Sequence, residues 1–198
     1  MTRRLETFVM GEDGIGGLSE ALYRVSTVRY MPCADVTAFP RFAELPTMSS
    51  ILKVEPNDGT AWYAEVLSNA QGDGRFWGTR DPYRCCALFA SSVYWFDVRD
   101  PRSVVGYRAN YSDWEPVFFA RSHDLLLVCS DPIAAYGADG HRWTTGRLAF
   151  DGIEHVVIDG DVIRGIADTY PEGSLPFEVD LATGRHRGGF PGWDFREK

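Results

Sequence analysis

Lysine and cysteine are scarce in this 198-residue chain, and it has no apolar run long enough to cross a membrane. Lysine occurs only at Lys53 and Lys198, arginine is scattered, and the formal net charge is −8 at pH 7. Proteins that bind duplex nucleic acid concentrate positive charge on one face, and anionic membranes attract clustered basic residues. We therefore expect neither nucleic acid nor a membrane among its partners.

The cysteines argue for a reducing environment. The chain contains Cys33, Cys85, Cys86 and Cys129, and no two of them form a C-x-x-C pair. Their spacing does not suit a structural zinc site and is typical of free thiols. The amino-terminal residues also lack the apolar segment of a secretory signal. We predict a cytoplasmic protein without a metal site. Because neighbours on a strand face opposite sides, we expect one of Cys85 and Cys86 in the core and the other exposed.

Motifs for enzymatic chemistry are also few. The chain has no G-x-S-x-G sequence, and its four histidines lie far apart along the chain. Residues 9–22, VMGEDGIGGLSEAL, look like the strand, glycine-rich loop and helix of a flavin-dependent oxygenase. However, Glu12 occupies the place of the first glycine, where its carboxylate would repel a pyrophosphate. We expect this segment to be a turn and the protein to need no cofactor.

What the chain does contain favours short strands and tight turns. Hydrophobic residues make up 44%, and there are 20 Gly and 11 Pro. From residue 51 onward apolar and polar residues alternate, and the run LLLVC at residues 125–129 is apolar on both faces, as in an inner strand. We predict one β-rich domain over residues 1–198. Residues 1–50 form an irregular segment packed on it, with a short helix over residues 18–24.

Acidic turns recur along the chain at nearly even spacing. Successive turns lie 45, 42, 39 and 41 residues apart, at Asp13-Gly14, Asp58-Gly59, Asp100-Pro101, Asp139-Gly140 and Asp180 to Gly184. Periods near forty residues are typical of stacked or radial β units. Further turns rich in Asp and Gly divide each unit into segments short enough for a four-stranded meander.

Two stretches carry a resemblance to a known architecture. Residues 125–144, LLLVCSDPIAAYGADGHRWT, resemble a β-propeller blade of the quinoprotein or WD type, in which a strand ends in an Asp-Gly turn and a tryptophan often follows. Residues 176–188, PFEVDLATGRHRG, are similar to the same hairpin. The resemblance implies an all-β fold of antiparallel meanders in a propeller-like array. A sandwich, a barrel or an α+β fold with a short amino-terminal helix stays open, because such turns occur in any antiparallel protein.

The aromatic residues provide the best functional clue. Five polar and aromatic residues lie close together in one predicted loop region: Tyr107, Asn110, Tyr111, Asp113 and Trp114. Exposed Trp and Tyr beside Asp and Asn form platforms for sugars or protein partners. We therefore predict a binding module for a protein or glycan ligand. Two alternatives stay open: a glycosidase-like hydrolase with two convergent carboxylates, and a small intracellular protein of the immunity type that neutralises a partner.

Overall fold

The computed structural model describes residues 23–28, 36–40, 48–68, 74–89, 91–109, 116–169 and 173–190. Within those ranges sixteen strands form four sheets of four strands, and the helical content is one 3₁₀ turn at Arg121–His123. No helix in the same ranges has the length and apolar character needed to cross a bilayer. The prediction of an all-β fold of four-stranded sheets is confirmed, and three of the four sheets are antiparallel meanders, as expected, whereas the first is not.

The chain divides into two compact units, of which the first comprises Met1–Trp114 and Ala138–Gly140. Its first sheet has the order β1-β3-β4-β2 and contains β1 (Tyr23–Val28), β2 (Val36–Ala38), β3 (Met48–Pro56) and β4 (Trp62–Ser68). Strand β2 pairs with β4 in parallel, and β1, β3 and β4 are antiparallel. Its second sheet is a meander of β5 (Arg75–Gly78), β6 (Arg84–Phe89), β7 (Ser92–Asp97) and β8 (Asp100–Arg108).

The second unit comprises Glu115–Gly137 and His141–Lys198. The third sheet is a meander of β9 (Val117–Ala120), β10 (Leu125–Cys129), β11 (Ile133–Gly137) and β12 (Gly140–Thr144). The fourth sheet is a meander of β13 (Ile153–Asp159), β14 (Val162–Asp168), β15 (Ser174–Asp180) and β16 (His186–Gly188). Strand β10 is buried along its whole length, as its two-faced apolar sequence predicts.

The predicted acidic turns mark the same place in each sheet, the connection between its third and fourth strands in chain order. In the second sheet the two turn residues are Val98 and Arg99, so Asp100 ends the turn instead of starting it. The carboxylates hold these turns directly: Asp97 accepts the Arg99 N–H at 2.9 Å, and Asp180 accepts the Thr183 N–H at 2.8 Å. Asp13-Gly14 lies outside the described residues.

The resemblance to propeller blades is confirmed at the level of the single sheet. Residues 125–144 form β10, β11 and β12, with the Asp139-Gly140 turn before β12 and Trp143 on that strand. Residues 176–188 lie in β15, the following turn and β16. Both stretches therefore have the strand, acidic turn and strand order that the resemblance implies.

Each unit has its own hydrophobic core. In the first unit the buried ring of Phe39 lies 5.0 Å from that of Tyr94 and 5.6 Å from that of Phe96, and these contacts join the first and second sheets. In the second unit Phe177 packs over Gly165, its partner on the neighbouring strand. A Cβ at Gly165 would lie 2.5 Å from the Phe177 ring, so the ring needs a glycine beneath it.

Three local predictions are wrong. Tyr23 and Arg24, expected at the end of a helix, begin β1. Cys86, expected on the exposed face if Cys85 was in the core, is fully buried, because both faces of β6 are covered. The sequence around Glu154 also predicts a half-buried His155 on a regular strand, but His155 is exposed at a bulge in β13, where its φ is +52°.

Candidate functional site

Only part of the predicted binding site lies within the residues that the structure describes. Tyr107 lies near the end of β8, and Asn110, Tyr111, Asp113 and Trp114 lie outside the described residues. The structure therefore places one of the five, and the other four stay a prediction from the sequence.

A buried indole orients Tyr107. The Nε1 of Trp95 on β7 donates a hydrogen bond to the phenol oxygen of Tyr107 at 3.0 Å. The pair is diagonal across the two strands, because Tyr107 is opposite Val93 and Val105 is opposite Trp95. Trp95 is buried and Tyr107 is half-buried, so the phenol is held at the surface by a rigid partner.

Val105 completes this surface. It shares the sheet face of Tyr107, since alternate residues of a strand face the same side, and it is 45% exposed, one of three large hydrophobic residues with that much exposure among the described residues. We call Val105 and Tyr107 the β8 surface. It combines an exposed hydrophobic side chain with a phenol that is held in one orientation.

The start of β8 is built to discourage pairing with another strand. Pro101 has no N–H to donate, and the ladder between β7 and β8 shifts register between Trp95 and Asp97. At the shift the Ser103 hydroxyl accepts the Asp97 N–H at 2.7 Å and donates to the Asp100 carbonyl at 2.7 Å. A side chain thus replaces part of the backbone ladder at this end of β8.

Sequence reasoning missed an aromatic and cationic cluster in the second unit. The guanidinium of Arg147 lies 5.1 Å from the ring centre of Phe150 and 5.7 Å from that of Phe190. It also donates to the carbonyl oxygens of Ala149 at 2.8 Å and Phe150 at 3.0 Å. Phe150 is 45% exposed. The signal that the sequence offered is the arginine and phenylalanine of RLAF at residues 147–150.

The buried thiols of Cys85 and Cys129 are not activated as nucleophiles. Burial raises the pKa of the Cys85 thiol to about 12 and that of the Cys129 thiol to about 12, so both stay protonated at neutral pH. His123 Nε2 lies 3.5 Å from Asp161 Oδ1, and its Nδ1 lies 3.0 Å from the Ser122 hydroxyl, on an exposed turn. The described residues contain no group of three or more His, Cys, Asp or Glu placed to hold a metal ion.

The carboxyl groups with a shifted pKa all shift in the direction of the charged form. The pKa of Asp97 is lowered by hydrogen bonds from Arg99, that of Glu178 by Arg187 and Arg164, and that of Asp180 by Thr183. A general acid in glycoside hydrolysis needs the opposite, a carboxyl group whose pKa is raised. These three groups therefore stabilise turns and strands and are unsuited to acid catalysis.

Comparison with known proteins gives a distant structural likeness. No family model matches the chain, and no curated protein matches it. Among solved structures it is similar to the WD40 beta propeller domain of Doa1, with 14% sequence identity and a TM-score of 0.30. The match covers 86% of this chain and 74% of that one.

Proposed function

We propose that this protein is a binding module for another protein, with a contact region made of the β8 surface and Asn110, Tyr111, Asp113 and Trp114. The observation that carries the proposal is the exposed Val105 beside a tyrosine whose phenol is fixed by the buried Trp95. The four residues beyond β8 enter on their sequence alone.

The chemistry of the β8 surface favours a protein partner. Tyr and Trp are enriched among residues that dominate binding energy, because they offer a large rigid surface at a low entropy cost. Covering the exposed half of Val105 would contribute about 1 kcal/mol. The hydrogen bond from Trp95 fixes the Tyr107 ring before a partner arrives, which lowers the cost of ordering it.

Neither alternative function has a specific observation in its favour. The hydrolase needs a carboxyl group with a raised pKa, and the shifted carboxyl groups described above move the other way. The immunity-type role rests on small size and acidic charge, which are general properties shared by many unrelated proteins. We propose a cytoplasmic location, which is supported by the free thiols of Cys85, Cys86 and Cys129.

A site-specific photo-crosslinker tests the proposal. A benzoylphenylalanine placed at residue 105 should capture one protein from an extract of the native cells. The same group at residue 150 is the matched control, because Phe150 and Val105 are equally exposed. Equal capture from both positions, or a product that a glycosidase removes, would contradict a protein partner on the β8 surface.

Variants then test the predicted residues against the purified partner. Val105→Asp, Tyr111→Ala and Trp114→Ala should each weaken binding about tenfold, the size of a moderate hot-spot effect. Their melting temperatures should stay close to that of the parent protein. A large drop in melting temperature for Tyr111→Ala or Trp114→Ala would mean that these side chains support the fold and do not form a contact surface.

A further inference from the structure

A row of charges with alternating sign crosses the exposed face of the fourth sheet. One residue from each strand contributes: Asp159 on β13, Arg164 on β14, Glu178 on β15 and Arg187 on β16. Arg164 binds Asp159 through Nη1 and Glu178 through Nε at 3.1 Å. Arg187 donates to the other Glu178 oxygen through Nε at 2.8 Å. The sign order across the sheet is therefore minus, plus, minus, plus.

This order is complementary to itself under one symmetry operation. A two-fold axis that lies along the strands, between β14 and β15, reverses the strand order of a second copy placed face to face. Asp159 then faces Arg187 of the second copy, and Arg164 faces Glu178. Since the operation is symmetric, four oppositely charged pairs form, which is the arrangement of an isologous dimer. A two-fold axis across the strands would instead place each charge opposite itself.

Apolar residues on the same face surround the charged row. Val157, opposite Arg164 in the strand register, is 58% exposed, and Val162, Ile166 and Pro176 are partly or fully exposed. The intramolecular pairs already neutralise much of the row, so a second copy would not bury isolated charges. We propose that the outer face of the fourth sheet binds the same face of a second copy of this chain.

The size of the face sets the expected strength. Three strands of seven residues are about 23 Å long and β16 has three residues, so a contact over the whole face, about 19 Å wide, buries roughly 750 Å² in total. Interfaces of this size are weak and reversible. Two twisted sheets pack face to face with their strands about 30° apart, which this axis permits. We therefore expect a dimer that forms at micromolar concentrations or above and dissociates in high salt.

Charge reversal in pairs tests the proposal. In Arg164→Glu the new glutamate faces Glu178 of the other copy, and in Glu178→Arg the new arginine faces Arg164, so each variant alone should be a monomer. When the two variants are mixed, all four facing pairs become opposite in sign, and a heterodimer should form. Sedimentation equilibrium from about 10 to 500 µM measures both results.

This design separates dimerisation from the stability of the sheet. Each single variant has a broken row within its own chain, in the mixture as well as alone, so recovery on mixing has to come from contacts between chains. Arg102→Glu on β8 changes the net charge as much as Arg164→Glu and should leave the dimer intact. A parent protein that stays monomeric over the whole range, or a mixture of folded variants without heterodimer, would overturn the proposal.

Discussion

Among the residues that the structure describes, the core of the first unit contains six aromatic side chains in fourteen buried residues, and that of the second contains two in fourteen. The first core depends on rings from both sheets, among them Phe39, Phe76 and Tyr94. The second consists mainly of leucine, isoleucine, valine and alanine around Trp143 and Phe177. Two units with the same number of strands thus fill their interiors with different chemistry.

A hydrogen bond from a tryptophan is nevertheless common to both units. Trp62 on β4 donates from Nε1 to the carbonyl of Val98 at 2.6 Å, and Trp143 on β12 donates to that of Leu181 at 2.9 Å. In each case the donor lies on the fourth strand of one sheet in chain order, and the acceptor lies in the last turn of the next sheet. Apolar packing tolerates exchange of similar volumes, whereas a buried hydrogen bond requires both partners. The comparison suggests that this hydrogen bond aligns the sheets and that the core composition can vary around it.

Removing the two tryptophans should give the largest effect and should differ between the units. Trp143→Ala removes a buried ring and leaves the Leu181 carbonyl without its donor, so we expect the free energy of unfolding to fall by about 3–5 kcal/mol. Trp62 is half-buried, so Trp62→Ala should cost less. Urea unfolding followed by far-ultraviolet circular dichroism measures both.

Replacement of each tryptophan by phenylalanine separates packing from the hydrogen bond. Both Trp→Phe variants keep most of the ring, so a shared loss of about 1–3 kcal/mol would come from the unsatisfied carbonyl. If Trp143→Phe were as stable as the parent protein, the hydrogen bond would have no part in aligning the sheets.

A second, smaller effect should come from the turn on which Trp143 packs. Gly184 has φ +69°, and a Cβ there would lie 2.6 Å from the Trp143 ring. Gly160 has φ +59° with nothing near its missing Cβ, so it is the matched control. Gly160→Ala should cost about 1–2 kcal/mol for the left-handed backbone, and Gly184→Ala should cost about 1–3 kcal/mol more because the ring has to move. Equal melting temperatures for the two variants would show that the turn adjusts freely.

Local chemistry explains why the regular spacing of the acidic turns could be predicted from the sequence. The acidic turns of the second and fourth sheets are held by contacts a few residues apart, Asp97 with Arg99 and Asp180 with Thr183, so the turn residues carry the signal themselves. The alternation of β15 was also visible, because one of its faces is buried and the other is solvated. Both features can be predicted without knowing which sheets are neighbours in the fold.

Features that depend on distant partners could not be predicted in the same way. The burial of Cys86 follows from covering of both sheet faces, and β2 pairs in parallel with β4 although 23 residues separate their ends. The cluster of Arg147 with Phe150 and Phe190 joins residues that are up to 43 positions apart. At the candidate site, the sequence predicted Tyr107 and its neighbours as binding residues but gave no sign that Trp95 orients the phenol.

The smallest predicted effect compares the two acidic turns at low pH. The pKa values of Asp97 and Asp180 lie below the ordinary value of 3.8, because the charged carboxylates accept hydrogen bonds from Arg99 and Thr183 in the folded state. Their stabilisation is therefore complete above the unfolded pKa and is lost as the pH falls through the lower folded pKa. Asp97→Asn and Asp180→Asn should each flatten the fall in unfolding free energy as the pH is lowered below the ordinary aspartate pKa of 3.8. Salt should reduce the contribution of Asp97 more, since its main partner is a cation and that of Asp180 is a neutral threonine.

A pH profile of Asp97→Asn with the slope of the parent protein would contradict this prediction. It would mean that the ion pair with Arg99 adds nothing to the stability of this turn, and that the backbone hydrogen bond of the turn is sufficient.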